Sequence, residues 1–311
     1  MTAPRAALTG ASGFLGGHVL AGLRARGVLV RALARRDVAL AAEIVRGALE
    51  DEAALARLMA GVDLVVHVAG LVKARGRAAF FAVNAEGAAR VARVARDVAP
   101  RARFVLISSL AARVPALSDY AASKRAGEDE VRALYGDEAL ILRPPAVYGP
   151  PDRETLALFK AARLPVVPLT GRGRVAMIYG ADAGAAVAAA ALSGVRGCFA
   201  LADERPEGYE MAEILRAAAR AQGREPWALL PVPGPVLRGL GAVSGALGAV
   251  RGRAVMFTAQ KARELAHPDW GVSAAELLAR GVYEPRTSLA EGLAMSVAWY
   301  RDQGWLERDA L

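Results

Sequence analysis

The chain has 311 residues, room for about two domains or one large core with an appended lobe, and 54% of them are hydrophobic, which excludes a disordered chain. Cys198 is the single cysteine, which excludes an intramolecular disulfide and any Cys-rich zinc or iron–sulfur site, and His18, His67 and His267 stand too far apart to begin a metal-binding pattern. The net charge of +9 is carried by arginines scattered singly or in pairs, so no nucleic-acid partner is expected, whereas an anionic small ligand such as a phosphate-bearing cofactor suits the surface.

The first half alternates short apolar runs with longer stretches of helical period. Strands are expected at residues 6–8, 28–33, 64–68, 104–107 and 140–142, and helices over 15–26, 53–60, 78–99 and 120–134. Strands apolar on both faces belong to a parallel sheet covered by helices on each side; right-handed crossovers make it an α/β doubly wound (Rossmann) sheet. The rhythm loosens after Tyr148-Gly149-Pro150-Pro151, and helical patterns return at 181–193, 209–222 and 288–299 with few clear strands. This pattern predicts a dinucleotide-binding unit over 1–150 and a smaller, mostly helical substrate lobe over 151–311, with segments returning to the sheet. The N-terminal residues carry no leader pattern, and no stretch of about 20 unbroken apolar residues exists, so a cytoplasmic protein without a membrane span is expected. The nearest candidate, 232–250, is broken by Pro233, Pro235 and Arg238 and is rich in glycine. It reads as a packed or substrate-facing segment, with a membrane-surface helix as the lesser alternative.

The loop Thr9-Gly10-Ala11-Ser12-Gly13-Phe14-Leu15-Gly16 leaves the first strand and opens the first helix. Gly10 permits the tight turn, Gly13 lets the backbone approach a pyrophosphate, and Gly16 allows close packing of the helix. Free N–H groups and the helix dipole favour a diphosphate there. An NAD site places a carboxylate at the end of the second strand to meet the ribose hydroxyls. Here Arg35 and Arg36 stand in that place, which suits a 2′-phosphate and favours NADP over NAD. Asp37 follows, able either to pair with an arginine or to reach the ribose.

Tyr120 and Lys124 lie four residues apart on a predicted helix and therefore share one face. A free tyrosine has a pKa of about 10; a nearby ammonium stabilises the phenolate and tunes the group for proton exchange with a carbonyl or alcohol. Upstream, the strand at 104–107 ends in Ser108-Ser109, and a hydroxyl at a strand's carboxyl end faces the ligand crevice. Ser109 can orient a reacting carbonyl. Asn84 either supports the lysine or is a satisfied structural residue, and His67 reads as a core histidine.

Together these motifs resemble the extended branch of the short-chain dehydrogenase/reductases, the NAD-dependent epimerase/dehydratase family. Residues 62–70 resemble the family's fourth strand, 142–150 its loop beside the nicotinamide, and 289–293 with 299–301 its closing helix. The resemblance implies that Ser109, Tyr120 and Lys124 are catalytic, with Asn84 in support. It implies a cofactor lined by Thr9, Gly10, Ser12, Gly13, Phe14, Leu15, Gly16, Arg35, Arg36, Leu49, Val68, Ala69, Gly70, Ile107, Ser108, Tyr120, Lys124, Pro144, Ala146 and Val147. The chain reads Gly47-Ala48-Leu49 where the family carries Gly-Asp-Leu, so an adenine-holding Asp is missing. The segment from Ser109 to Tyr120 is shorter than in typical sugar-nucleotide epimerases. Lys73 and Arg75 lie on a loop that often meets substrate. The expected activity is hydride transfer between a nicotinamide cofactor and a carbonyl or alcohol. The apolar lobe hints at a hydrophobic substrate of the hydroxysteroid or dihydroflavonol type. The alternatives are a nucleotide-sugar epimerase or dehydratase using the same three side chains, and a non-catalytic dinucleotide-binding redox sensor or assembly module. Relatives often dimerise through the fourth and fifth helices, so a homodimer is compatible with the resemblance.

Overall fold

The computed structural model describes residues 3–171, 173–272 and 275–307. The first apolar run becomes β1 (Arg5–Thr9), and the glycine loop leads into α1 (Phe14–Arg24). Then follow β2 (Leu29–Ala34), β3 (Glu43–Arg46), α2 (Glu52–Met59), β4 (Leu64–His67), α3 (Arg77–Phe81), α4 (Gly87–Val98), β5 (Arg103–Ile107), α5 (Asp119–Tyr135) and β6 (Leu140–Arg143). Beyond them come β7 (Ala146–Tyr148), α6 (Leu156–Ala161), β8 (Val166–Leu169), β9 (Arg174–Val175), β10 (Met177–Tyr179), α7 (Gly180–Leu192) and β11 (Gly197–Ala200). The rest comprises β12 (Tyr209–Glu210), α8 (Met211–Arg220), β13 (Ala228–Pro231), α9 (Gly234–Val250), α10 (Ala259–Leu265), β14 (Asp269–Trp270), α11 (Glu276–Ala279) and α12 (Leu289–Asp302).

Seven strands form one sheet in the order β11-β6-β5-β4-β1-β2-β3. All its pairings are parallel, for example Leu8 beside Ala32 on one side and Val66 on the other. The chain reverses direction across the sheet between β1 and β4, and the crevice at their carboxyl ends is where such sheets bind ligands. Leu8, Val66 and Val105 pack under α1 and α7, while Ala7, Val65 and Leu106 pack under α2, α4 and α5. This two-sided burial is why the strands read as unbroken apolar runs.

Three departures from the expected elements have physical causes. β3 carries no apolar run of its own because it is a short edge strand, its Glu43 paired with Arg31 of β2 at 2.9 Å. The helix expected over 78–99 is interrupted by a π-helical turn, Ala82–Glu86, between α3 and α4. Such turns insert one extra residue and recur at functional sites; here the turn carries Asn84. The second half holds more strands than expected, but they are two to four residues long and pair in small sheets, β10 with β7, β13 with β8, and β12-β9-β14. Such lengths leave no periodicity to read. Their core gathers Tyr148, Phe159, Tyr209, Ile214, Leu293 and Tyr300 between α6, α8 and α12. β11 and α7 complete the large sheet and its cover from beyond residue 150. Among the described residues no helix is long and apolar enough to cross a membrane.

Candidate active site

A cavity of about 1260 Å³ opens over the carboxyl ends of β1, β2, β4, β5 and β6 and continues under α9 and α10. Ligand pockets usually span about 300–1,000 Å³, so this cavity is larger than one for a single small ligand. Of the site residues expected from the sequence, all line this cavity except Arg36 and Asn84.

The glycine loop forms the floor. Gly10 adopts φ +78°, and a Cβ on it would lie 2.6 Å from the Ala69 backbone nitrogen; a Cβ on Gly16 would lie 1.9 Å from the Gly10 carbonyl oxygen. The loop therefore tolerates no side chain at either place. Gly13 sits at the N-cap of α1 and supplies no side-chain cap, so the first-turn N–H groups are left for a ligand. A built glycine floor and an uncapped eleven-residue helix fit a dinucleotide diphosphate. At the end of β2, Arg35 lines the cavity while exposed Arg36 does not. Asp37 turns to Arg46, Oδ2 to Nη1 3.4 Å, which realises the first of its two expected roles. Leu49 and Glu50 complete that end.

Tyr120 and Lys124 rise from the first turns of α5. Ser118 caps this helix, its Oγ accepting from the Ala121 N–H at 3.0 Å. The Lys124 ammonium is buried and donates to the Ile107 carbonyl at 2.7 Å. Ser109 lines the cavity beside Tyr120, and its Oγ accepts from the Ala111 N–H at 3.2 Å. Burial pushes the phenol up to about 12, against the pull of Ser109 and with a push from the Glu264 carboxylate. Burial brings Lys124 down to about 8, with Glu128 pulling it back. The expected lowering of the phenol by the ammonium is not realised among the protein's own groups, where burial dominates. The phenol therefore stays protonated at neutral pH.

Asn84 accepts from the Leu71 N–H at 2.8 Å, and its amide donates to the Leu71 carbonyl at 3.0 Å and to Ser123 Oγ at 2.9 Å. It staples the loop after β4 to α5, close behind Lys124, and does not reach the cavity. Ser108 lines the cavity, but its Oγ is engaged elsewhere, donating to Glu128 at 2.5 Å. Fully buried Glu128 also accepts from Arg143 at 2.8 and 2.5 Å and from Arg132 at 3.1 Å. His67 is a core residue: its Nδ1 lies 2.7 Å from Thr9 Oγ1, and burial with the Lys124 charge pushes it down to about 3, so it stays neutral.

Sequence reasoning missed the α10 wall and the Glu128 cluster. Gln260 grips Asp119 twice, accepting from its backbone N–H at 2.9 Å and donating to its carboxylate at 2.7 Å. Glu264 accepts from Ser118 Oγ and pairs with Lys261 at 2.8 Å. The α10 helix is thereby bonded to the cap of the helix that carries Tyr120. No local signal announces contacts across more than 140 residues. The cluster did leave one: Glu128 stands four residues after Lys124, on the same helix face.

The model of the NAD dependent epimerase/dehydratase family matches residues 6–197. Ceramide reductase of Caulobacter vibrioides (strain NA1000 / CB15N) is 46% identical over 311 residues, covering 97% of this chain and 96% of that protein. The crystal structure of gox2253 superposes with a TM-score of 0.78 at 21% identity, covering 98% of this chain and 100% of that one. The dTDP-glucose 4,6-dehydratase DesIV of Streptomyces venezuelae, with NAD and TYD bound, gives 0.72 at 23% identity over 97% and 99%. At such identities the two structures share the fold. The family match across more than half the chain, and a relative this similar over nearly its whole length, carry the conclusion: the chain belongs to the NAD-dependent epimerase/dehydratase family and is an NAD(P)-dependent enzyme of the extended short-chain dehydrogenase/reductase type.

Proposed function

We propose that the protein uses NADPH to reduce a ketone on a long-chain lipid of the ceramide class. The observation that carries this reading is the wall beyond Tyr120. Gly241, Ala242, Gly245, Ala246 and Ala249 of α9, with Val255 and Met256, line it with small or apolar groups. A wall of this kind accepts an alkyl chain and offers little to a sugar. The ceramide reductase relative points to the same class of substrate. The short Ser109–Tyr120 segment also argues against a bulky nucleotide sugar.

The glycine floor would hold a nicotinamide nucleotide, which would supply the hydride for the carbonyl carbon. The Ser109 and Tyr120 hydroxyls hydrogen-bond the carbonyl oxygen and fix its orientation. Tyr120 then releases its proton to that oxygen, and the product is an alcohol. Lys124, anchored on the Ile107 carbonyl, stabilises the phenolate until solvent restores the proton. A phenol held near 12 suits this direction, since it arrives protonated. Arg35 would hold the 2′-phosphate of NADPH, since it lines the cavity and forms no ion pair among the described residues.

The test is cofactor oxidation by the purified protein with a ketone-bearing ceramide, with UDP-glucose as the competing substrate and NADH as the competing cofactor. Turnover confined to NADPH and the lipid ketone is expected. Conversion of the nucleotide sugar without the lipid would overturn the substrate reading, and equal use of NADH would overturn the cofactor reading.

A further inference from the structure

Helix α9 has two unlike faces. One lines the cavity with glycine and alanine. On the other, Val236, Leu240, Val243, Leu247 and Val250 are 51%, 56%, 59%, 49% and 88% exposed. Their spacing alternates between four and three residues, so they form one stripe along the whole 17-residue helix, roughly 25 Å long at 1.5 Å per residue. A continuous apolar stripe facing water marks an interaction surface, unlike apolar residues scattered singly.

The charge around the stripe identifies its partner. From Pro226 to Arg263 the chain carries no Asp or Glu, but it carries Arg238, Arg251, Arg253, Lys261 and Arg263. At the carboxyl end of α9, exposed Arg251 and Arg253 are joined by Arg75, whose Nη1 lies 3.9 Å from where a Cβ on Gly252 would stand. None of these three forms an ion pair among the described residues. A second copy of this chain laid on the stripe would bring more cations and no carboxylate from this segment to meet them. An anionic lipid surface meets both features at once, taking the apolar stripe into its acyl boundary and the guanidinium groups onto its headgroups.

We propose that α9 docks the protein on the surface of an anionic lipid bilayer, with the Val236–Val250 stripe in the headgroup–acyl boundary and Arg75, Arg251 and Arg253 against the headgroups. The helix lies on the bilayer; it is not long and apolar enough to cross it. The cavity wall is the opposite face of the same helix, so a lipid has only one helix to pass between bilayer and site. That consequence rests on the lipid-ketone reading, whereas the docking itself does not.

The test is vesicle flotation of the full chain without substrate or cofactor, on phosphatidylcholine alone and on phosphatidylcholine mixed with phosphatidylglycerol. Failure of the lipid-ketone reading leaves this experiment untouched. Binding to the anionic vesicles, weakened by salt, is expected. Leu240→Glu combined with Leu247→Glu lowers it at least about tenfold, since both side chains leave the apolar phase. Arg251→Glu lowers it about fivefold or more, the loss of roughly 1 kcal/mol per surface cation. Both variants alter exposed positions outside the cavity, and unchanged NADPH affinity and melting temperature check that they fold. Wild-type protein that stays in the aqueous fraction, or that binds both vesicle types equally, overturns the proposal. So does a dimer in light scattering that the double leucine variant splits while vesicle binding is absent.

Discussion

The two sides of the cavity are built in opposite ways. On the sheet side, polar groups around Tyr120 are tied down within a buried network: Lys124 to Ile107, Asn84 to Leu71 and Ser123, and Glu128 to Ser108 and Arg143. On the lobe side, α9 contributes small side chains and presents apolar ones to solvent, and α10 is attached to α5 mainly through Gln260 and Glu264. Proton and hydride transfer demand reacting atoms held in near-attack geometry, where a 1 Å misplacement costs about 10²-fold. Gripping an alkyl chain demands only matching shape. Rigid polar structure therefore stands where chemistry is expected, and adaptable apolar structure where a substrate chain is expected.

Substitutions on the two sides should separate accordingly. The largest effect belongs to Tyr120→Phe, which should lower kcat by about 10²–10⁴ while NADPH affinity, read by fluorescence titration, stays within about twofold. Retained turnover would show that another group donates the proton. Glu128→Ala should destabilise the protein by about 3 kcal/mol in urea unfolding, because Arg143 is left without its buried partner; a change below about 1 kcal/mol would mean that the network does not hold the sheet side.

Arg35→Ala should raise KM for NADPH about tenfold, the worth of a charge-assisted contact, and leave KM for NADH unchanged. An equal rise for both cofactors would remove the arginine from the selection. The pH response follows from Lys124, whose folded-state pKa of about 8 lies below its ordinary value. Below pH 8 both folded and unfolded states carry the ammonium, and the folded state bears its burial cost. As pH rises from about 8 towards the unfolded value near 10.4, the folded state sheds its proton first and stability increases. Lys124→Met should flatten that rise in melting temperature. Over the same range the wild type should bind NADPH more weakly as the charge disappears. The smallest effect is expected on the lobe side: Gln260→Ala should raise substrate KM a few-fold with kcat within about twofold, a split that a purely catalytic role would not produce.

Much of the sheet side was legible because its signals are local. Strands buried on both faces must be apolar, so β1, β2, β4, β5 and β6 stood out, whereas the edge strand β3 did not. Ser108 and Ser109 looked alike in the sequence. An extended backbone turns consecutive side chains to opposite faces, and the Glu128 cluster claimed the first hydroxyl while the crevice received the second. Asn84 had two expected roles; the π-helical turn and the close passage of α5 made it a staple. On the lobe side, residues 232–250 read as packed, substrate-facing or surface-lying. The helix shows why no one reading sufficed, since its opposite faces meet different surroundings.

By itself the sequence determined the parallel sheet, the glycine floor and the pairing of Tyr120 with Lys124 on one helix face. Each depends on residues within a few positions of one another, where backbone geometry alone sets the neighbours. The tertiary structure alone decided which hydroxyl faces the crevice, that burial keeps the phenol protonated, and that α10 is bonded to the cap of α5. Those outcomes depend on desolvation and on contacts across the chain, which exist only once distant segments have packed together.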